Sequence, residues 1–328
     1  MTTSTDAYNN SSIAQGLVAM QTVRDEMIRI AFSTTHPIYN GIYPYNILPK
    51  TEVDVVPGST SRHTEIRYDF AGVAELKELT YDEDGFGNIF HFLRPVNQTR
   101  SELVIYHQGH DGGATRDGHA YVQRFLDEGY AVVAISMPLI GPNYPGPVEN
   151  HDAIFDDYPN TYITPFKYFL HPTISAINKY TSEFTEIFMV GHSGGGWTTM
   201  MMAAMDDRIK KSFPVSGGWP LYMRWAHDPH NAGDAEQITY EPELHQQAKY
   251  IDKFIIASIH GRSQTQYFVH QDPCCFAGIY PTEYEDLVKG IAQNNGGDFD
   301  IVMDYTTDQH HISDWTMTSI LQKMAGLQ

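Results

Sequence analysis

Cysteine is scarce in this chain: only two of its 328 residues are cysteines, and these two, Cys274 and Cys275, are neighbours. A disulfide between distant segments of one chain is therefore excluded. The pair could close on itself, but the strain in so small a ring favours two free thiols, packed as small apolar side chains beneath a neighbouring loop. The fold must consequently be held by its core, without disulfides between distant segments.

Basic residues are also few, with 21 Lys and Arg against 40 Asp and Glu and a net charge of −19 at pH 7. Such a charge repels nucleic acids and anionic membrane surfaces, so neither is expected as a partner. No apolar run is long enough for a transmembrane helix. The first ten residues carry no basic side chain, and the apolar stretch 13–20 is interrupted by Gln15 and Gly16. An export signal needs a basic N-terminal region followed by an uninterrupted apolar stretch, and neither is found here. The sequence therefore predicts a cytoplasmic protein.

The most informative motif occupies residues 191–196, which read Gly-His-Ser-Gly-Gly-Gly. It follows the apolar run 187–190 and precedes a segment with high helix propensity, so it predicts a sharp strand-to-helix turn that exposes the Ser193 hydroxyl. Such a turn strains the backbone, and Gly191 and Gly195 allow neighbouring backbone to pass close to it. Ser193 is therefore the candidate nucleophile, the alternative being a helix N-cap in a glycine-rich turn.

A serine nucleophile needs a base and an acid, which follow it in chain order in proteins with this turn. His310 and His311 lie between a predicted last strand, 299–305, and a predicted closing helix, 313–324. Asp272 follows the β-rich stretch 265–270, at the carboxyl end where open α/β sheets place reactive groups. If the strand lies over 254–259 instead, Asp272 is still the first acidic residue after it. Asp228 and Asp234 remain alternative candidates for the triad acid.

The developing oxyanion needs hydrogen-bond donors. The apolar stretch 103–106 opens into a glycine-rich loop, and we expect the backbone N–H groups of His110 and Gly194 to serve, with Asp111 as the alternate to His110. His107, His110 and Asp111 could instead bind a metal ion. The glycines around them favour a hydrogen-bonded turn, and no other cluster has the short ligand spacing of zinc sites, so no metal site is expected.

With these motifs in order from about residue 79 to residue 324, the chain resembles the α/β-hydrolase superfamily, of the carboxylesterase and acetylesterase kind. The resemblance implies an α/β fold with a mostly parallel central sheet flanked by helices. It also implies a serine hydrolase that forms an acyl-enzyme and needs no cofactor. It favours His310 over His311 as the base, because members often leave one residue between the base and an apolar residue, here Ile312.

Two regions have no equivalent in the minimal fold. Residues 1–70 are expected to form a helical arm packed on the core, with a helix over 12–32 capped by Ser12. Residues 71–328 would form the hydrolase domain, with a lid-like insertion at about 219–259. Within that domain a hairpin is predicted, with strands over 74–81 and 88–93.

The pocket is expected to be short. A loop rich in Pro and Gly follows residue 137, and it should wall the site together with His192, Trp219 and Tyr222. These aromatic residues could equally close a secondary core. The sequence thus predicts a hydrolase of small or short-acyl esters; a serine peptidase or amidase and a non-catalytic binding protein are the alternatives.

Overall fold

The computed structural model describes residues 5–32, 43–56, 58–59, 68–149, 151, 153–156, 165–227, 234–238 and 249–327. Its strands are Thr51–Asp54 (β1), Val73–Glu83 (β2), Phe86–Pro95 (β3), Leu103–His107 (β4), Ala131–Ile135 (β5), Ile187–His192 (β6), Ile209–Val215 (β7), Ser263–Val269 (β8) and Asp298–Asp304 (β9). They form one sheet in the order β1-β2-β3-β5-β4-β6-β7-β8-β9. The fold class predicted from the sequence, an α/β protein with a mostly parallel sheet, is confirmed.

The parallel part of the sheet runs from β5 through β4, β6, β7 and β8 to β9. The carboxyl ends of these strands therefore lie along one edge, where the loops that follow them meet. Strands β2 and β3 form the predicted antiparallel hairpin, which turns at Asp84 and Gly85 with positive φ angles of 54° and 82°. β3 then pairs antiparallel with β5.

The described helices lie on both faces of this sheet, which gives two separate apolar clusters, one on each side. In chain order they are Thr5–Asn9 (α1), Met20–Ala31 (α2), His119–Asp127 (α3), Ala153–Asp156 (α4), Phe166–Tyr180 (α5), Gly194–Met205 (α6), Leu221–His227 (α7), Ala235–Ile238 (α8), Tyr250–Ala257 (α9), Thr282–Asn294 (α10) and Asp314–Met324 (α11). α6 is buried along its whole length, which explains why its sequence is apolar on every side. No helix among the described residues has the length and apolar character needed to cross a membrane.

The N-terminal segment differs in detail from the predicted helical arm. The helix expected from Ser12 begins only at Met20, because residues 11–13 form a turn around the buried carboxylate of Asp252. That carboxylate accepts hydrogen bonds from the Ser11 hydroxyl at 2.6 Å and from the Ser12 and Ile13 backbone N–H groups at 3.1 Å. β1 comes from the same segment and pairs antiparallel with β2. The division of the chain at residue 70 stays a prediction.

Residues 254–259 were open to interpretation as a strand, because their apolar run is too short to show a period. In the structure they belong to α9 and the turn after it. The strand that precedes Asp272 is β8, which confirms the strand predicted over 265–270. Both the strand before the Ser193 turn and the helix after it are present as predicted.

Candidate active site

Ser193 stands at the turn between β6 and α6, and its backbone φ of 54° lies in a region that L side chains rarely adopt. The turn is held by a 2.9 Å hydrogen bond from the Ser193 backbone N–H to the Val215 carbonyl of β7. Two glycines make the turn possible: a Cβ on Gly191 would lie 2.1 Å from the Gly195 carbonyl oxygen, and one on Gly195 would lie 2.1 Å from the His107 carbonyl oxygen. The serine is 9% exposed, so little solvent reaches it.

Asp272 follows β8, and its carboxylate accepts hydrogen bonds from four donor groups. The Oδ1 atom accepts from the backbone N–H groups of Cys274 at 2.8 Å and Cys275 at 3.2 Å. The Oδ2 atom accepts from the Ser216 hydroxyl at 3.2 Å, and His310 contacts both oxygens. Burial alone would raise the pKa of Asp272, but these hydrogen bonds, led by that of His310, outweigh it and lower the pKa. The carboxylate is therefore ionised at neutral pH.

His310 lies in the loop between β9 and α11, with its Nδ1 atom 2.8 Å and 3.0 Å from the two carboxylate oxygens of Asp272. Its Nε2 atom is buried, and no described residue forms a hydrogen bond with it. His311 points elsewhere, since its Nε2 lies 3.3 Å from the Thr307 hydroxyl. Of the two candidate histidines, His310 is the one that contacts Asp272 as a triad base contacts its acid.

The loop that carries His310 is anchored at both ends by Asp304, the last residue of β9. This carboxylate accepts from the Thr306 backbone N–H at 2.7 Å before the histidine, and from the hydroxyls of Ser313 and Thr316 after it, the latter at 2.7 Å. Ser313 is the N-cap of α11, and its side chain accepts a hydrogen bond from the Thr316 backbone N–H at 3.0 Å. The position of the imidazole is thus fixed by strand, loop and helix together.

His192, next to Ser193, is packed against His310 with 4.7 Å between the ring centroids. The side chain is 1% exposed, and no described residue forms a hydrogen bond with either of its ring nitrogens. Burial, together with the proximity of His310, lowers its pKa to about 4. His192 is therefore a neutral imidazole at neutral pH, and it brings the Ser193 turn and the His310 loop into contact.

The loop after β4 approaches the serine closely. A Cβ on Gly109 would lie 2.7 Å from the Ser193 Cβ, and one on Gly194 would lie 2.5 Å from the Cε1 atom of His110. Gly194 is the first residue of α6, so its backbone N–H has no acceptor within the helix. No described residue accepts a hydrogen bond from the backbone N–H of His110. The side chain of Asp111, the alternate residue, is about half exposed.

The loop after β5 is pinned by a buried asparagine. Asn143 accepts from the Ile89 backbone N–H at 2.7 Å and donates to the Met137 carbonyl at 2.9 Å. A Cβ on Gly194 would lie 2.8 Å from the methyl carbon of Met137, so this loop reaches the Ser193 turn. The Met137 side chain therefore lies beside the residue that follows Ser193.

Trp219 and Tyr222 both lie at the larger of the two apolar clusters. Trp219 is buried against Phe276 and Tyr280, with ring centroids 5.8 Å and 5.7 Å away. Tyr222 is half-buried and packs against the same cluster. Both residues thus contribute to the packed core, and a role for either residue in a substrate pocket stays a prediction.

The cysteine pair differs from expectation. Cys274 and Cys275 are joined by a disulfide and are at least partly exposed, whereas the sequence favoured buried free thiols. The two adjacent backbone N–H groups bind the Asp272 carboxylate, and this brings the residues into a tight turn after β8. Of the rival acids, Asp228 lies outside the described residues, and Asp234 lies 3.4 Å from the Nδ1 atom of His110.

Three residues near the site escape sequence reasoning. Ser216 reaches Asp272 because it follows β7, the strand next to β8, and a polar residue at that strand end is the only available signal. His151 and Glu236 come from distant segments and meet His110. Together with His110 they could hold a metal ion, as could Cys274, Cys275 and His310. No local spacing predicts either group.

Similar structures are found among α/β-hydrolases. An acetyl xylan esterase from Paenibacillus sp. R4 aligns over 85% of this chain and 88% of its own, with a TM-score of 0.57 and 17% identity. Acetyl xylan esterase 1 from Thermoanaerobacterium sp. aligns over 94% and 98%, with a TM-score of 0.55 and 13% identity. An acylaminoacyl peptidase from Pyrococcus horikoshii aligns over 79% of this chain and 42% of its own, with a TM-score of 0.54 and 12% identity.

No protein-family model matches the sequence, and no curated protein is similar enough in sequence to match. The structural similarity, at these identities, establishes the α/β-hydrolase fold of the chain. Its chemistry has to be argued from the site.

Proposed function

We propose that the chain is a carboxylic-ester hydrolase in which Ser193, His310 and Asp272 form the catalytic triad. One observation carries the proposal: His310 is held through Nδ1 by the buried carboxylate of Asp272, while its buried Nε2 has no partner among the described residues. In a triad the acid holds the base through Nδ1, which leaves Nε2 to accept the proton of the serine. The strained turn that presents Ser193 at the same edge of the sheet supports the assignment.

In the proposed reaction, the Ser193 Oγ attacks the ester carbonyl while its proton passes to the His310 Nε2. The Asp272 carboxylate stabilises the imidazolium that forms and holds its Nδ1–H in place. The backbone N–H groups of Gly194 and His110 are assigned to the oxyanion, because both adjoin the serine and neither has an acceptor among the described residues. The histidine then returns the proton to the alcohol, leaving an acyl-enzyme that water hydrolyses.

The substrate class follows from the space around the serine. Ser193 is 9% exposed, and the close approach of Gly109 and Met137 to the turn favours a small acyl group. The Paenibacillus and Thermoanaerobacterium proteins are acetyl xylan esterases by name, which supports an acetyl ester as the first substrate to test. No cofactor takes part in this reaction scheme.

The test is a comparison of p-nitrophenyl esters from acetate to palmitate, with acetylated xylan and aminoacyl anilides as further substrates. We expect the highest kcat/KM for acetate or butyrate and a steep decrease for longer chains. Turnover of the anilides above that of every ester would assign a peptidase instead, the alternative suggested by the Pyrococcus structure. A binding protein that only retains the scaffold would turn over none of these compounds.

A further inference from the structure

A second cluster of polar side chains lies behind the Ser193 turn. The Nε2 atoms of His110 and His151 are 3.0 Å apart, and the carboxylate oxygens of Glu236 lie 3.4 Å and 3.2 Å from them, respectively. Glu236 is fully buried and His151 is 7% exposed. The three residues come from three separate segments: the loop after β4, the segment before α4, and α8 in the insertion. These segments are far apart in the sequence, and the fold brings the three side chains together.

The opposite nitrogen of each imidazole faces an acceptor. The His151 Nδ1 lies 3.0 Å from the Pro138 carbonyl oxygen, so it must carry a hydrogen. The His110 Nδ1 lies 3.4 Å from a carboxylate oxygen of Asp234. Holding Nδ1 in this way leaves the Nε2 lone pair of each ring directed at the other ring and at Glu236. Three electron-pair donors thus face one another inside the protein, and a cation between them would remove the repulsion.

The spacing fits a small transition-metal ion. Zinc bound tetrahedrally at about 2.0–2.1 Å separates its ligand atoms by about 3.3 Å. The three separations in the cluster are 3.0, 3.2 and 3.4 Å. Carbonyl and carboxylate partners on the outer nitrogens are the usual second shell of zinc-binding histidines. We propose that His110, His151 and Glu236 bind a divalent transition-metal ion of the zinc type, with one coordination position open to water.

The other group with suitable side chains is less suited to a metal ion. The sulfur atoms of Cys274 and Cys275 are joined to each other in a disulfide. A zinc site would need two thiolates in their place. The proposed site therefore lies at His110 and not at the triad.

The ion would connect the insertion to the loop that carries His110. Because the His110 ring lies against Gly194, a fixed ring also fixes the backbone N–H of His110 beside the serine. This positioning role rests on the proposed function, whereas the binding of the ion does not.

The test measures binding of ZnCl₂ to the full chain after treatment with a chelator and dialysis. We expect isothermal titration calorimetry to give one ion per chain, and X-ray absorption to show nitrogen and oxygen ligands at about 2.0 Å. Glu236→Gln and His151→Gln should each weaken binding at least about 100-fold and abolish the increase in Tm that zinc gives to the wild type. Two variants are used so that the test still stands if one of them fails to fold. Circular dichroism shows whether each variant is folded. His260→Asn, at an exposed histidine, is the matched control and should bind zinc as the wild type does.

Three results would overturn the proposal: no zinc binding to the wild type at millimolar concentration, equal binding by the wild type and both ligand variants, or sulfur ligands at about 2.3 Å. The first would leave a hydrogen-bonded pair of imidazoles in place of a metal site. None of these measurements uses ester turnover. An enzyme that binds zinc but cleaves no ester would contradict only the proposed function, and an esterase that binds no zinc would contradict only this inference.

Discussion

The Nδ1 atom of His310 lies 2.8 Å from one carboxylate oxygen of Asp272 and 3.0 Å from the other. These two residues follow neighbouring strands, β9 and β8, and they meet because the carboxyl ends of parallel strands share one edge of the sheet. The contact orients the imidazole and leaves its Nε2 without a partner among the described residues. The first two predictions test this contact.

Asp272→Asn should lower kcat about 10⁴-fold, because an amide at this place favours the wrong imidazole tautomer. Steady-state kinetics with p-nitrophenyl acetate measure the loss. Asp308→Asn, an exposed residue two positions before His310, is the matched control and should stay close to the wild type. A larger loss from Asp234→Asn than from Asp272→Asn would move the acid to Asp234.

His310→Ala should abolish turnover of every ester. His311→Ala should retain measurable rates, because His311 is hydrogen-bonded to Thr307 and not to Asp272. The His311 variant is expected at most to change the preference among acyl chains. Kinetics with acetate, butyrate and octanoate esters separate the two results. Full activity of His310→Ala beside an inactive His311→Ala would reverse the assignment of the base.

The free energy of unfolding should depend on His192. Its pKa is lowered from 6.5 to about 4 in the folded protein, so between these values the unfolded chain binds more protons. Stability is therefore retained above pH 6.5 and decreases as the pH falls towards 4, by about 2 kcal/mol for this group between pH 7 and pH 5. The charged and titratable groups around it are those of Asp111, Asp272, His310 and His311.

Urea unfolding of the wild type and His192→Asn at pH 7 and pH 5 measures this effect. The variant should lose about 2 kcal/mol less than the wild type over that interval. His260→Asn is the control, because this exposed histidine has a φ of 58°, which asparagine tolerates well. Equal losses in the wild type and His192→Asn would show that His192 is not the buried neutral group described above.

Ser313→Ala should reduce the free energy of unfolding by about 1–2 kcal/mol, because it removes the N-cap of α11 and a hydrogen bond to Asp304. Thr318→Ala removes an exposed hydroxyl from the same helix and should change it by less than about 0.5 kcal/mol. Urea titrations at pH 7 compare the two. Equal effects would show that the cap does not anchor the His310 loop.

Much of the fold is predictable from the sequence, because the buried strands are short apolar runs and the glycine-rich turn after β6 has few alternative structures. Strand β8 and Asp272 could be placed because Pro273 ends the pairing. Periodicity could not distinguish a strand from the helix α9, since an apolar run of six residues fits both. The sequence also predicts Ser12 as a helix N-cap. In the structure its backbone N–H instead donates a hydrogen bond to the carboxylate of Asp252, 240 residues away.

The parts of the site that depend on distant residues could not be predicted. His151 lies 41 residues from His110, and Glu236 lies 85 residues from His151, so no motif brings them together. The donor Ser216 is hidden for the same reason, since its contact with Asp272 arises from the neighbouring strand ends. Sequence patterns report neighbours along the chain, and these contacts depend on the sheet order.

The central claim, that Ser193 is the nucleophile, is tested most directly by labelling with a serine-directed phosphonate followed by peptide mass spectrometry. We expect one adduct, on Ser193, in the wild type. Ser193→Ala should keep the far-ultraviolet circular dichroism of the wild type, show no adduct and lose at least about 10³-fold in kcat. An adduct on another residue, or full turnover by Ser193→Ala, would contradict the account.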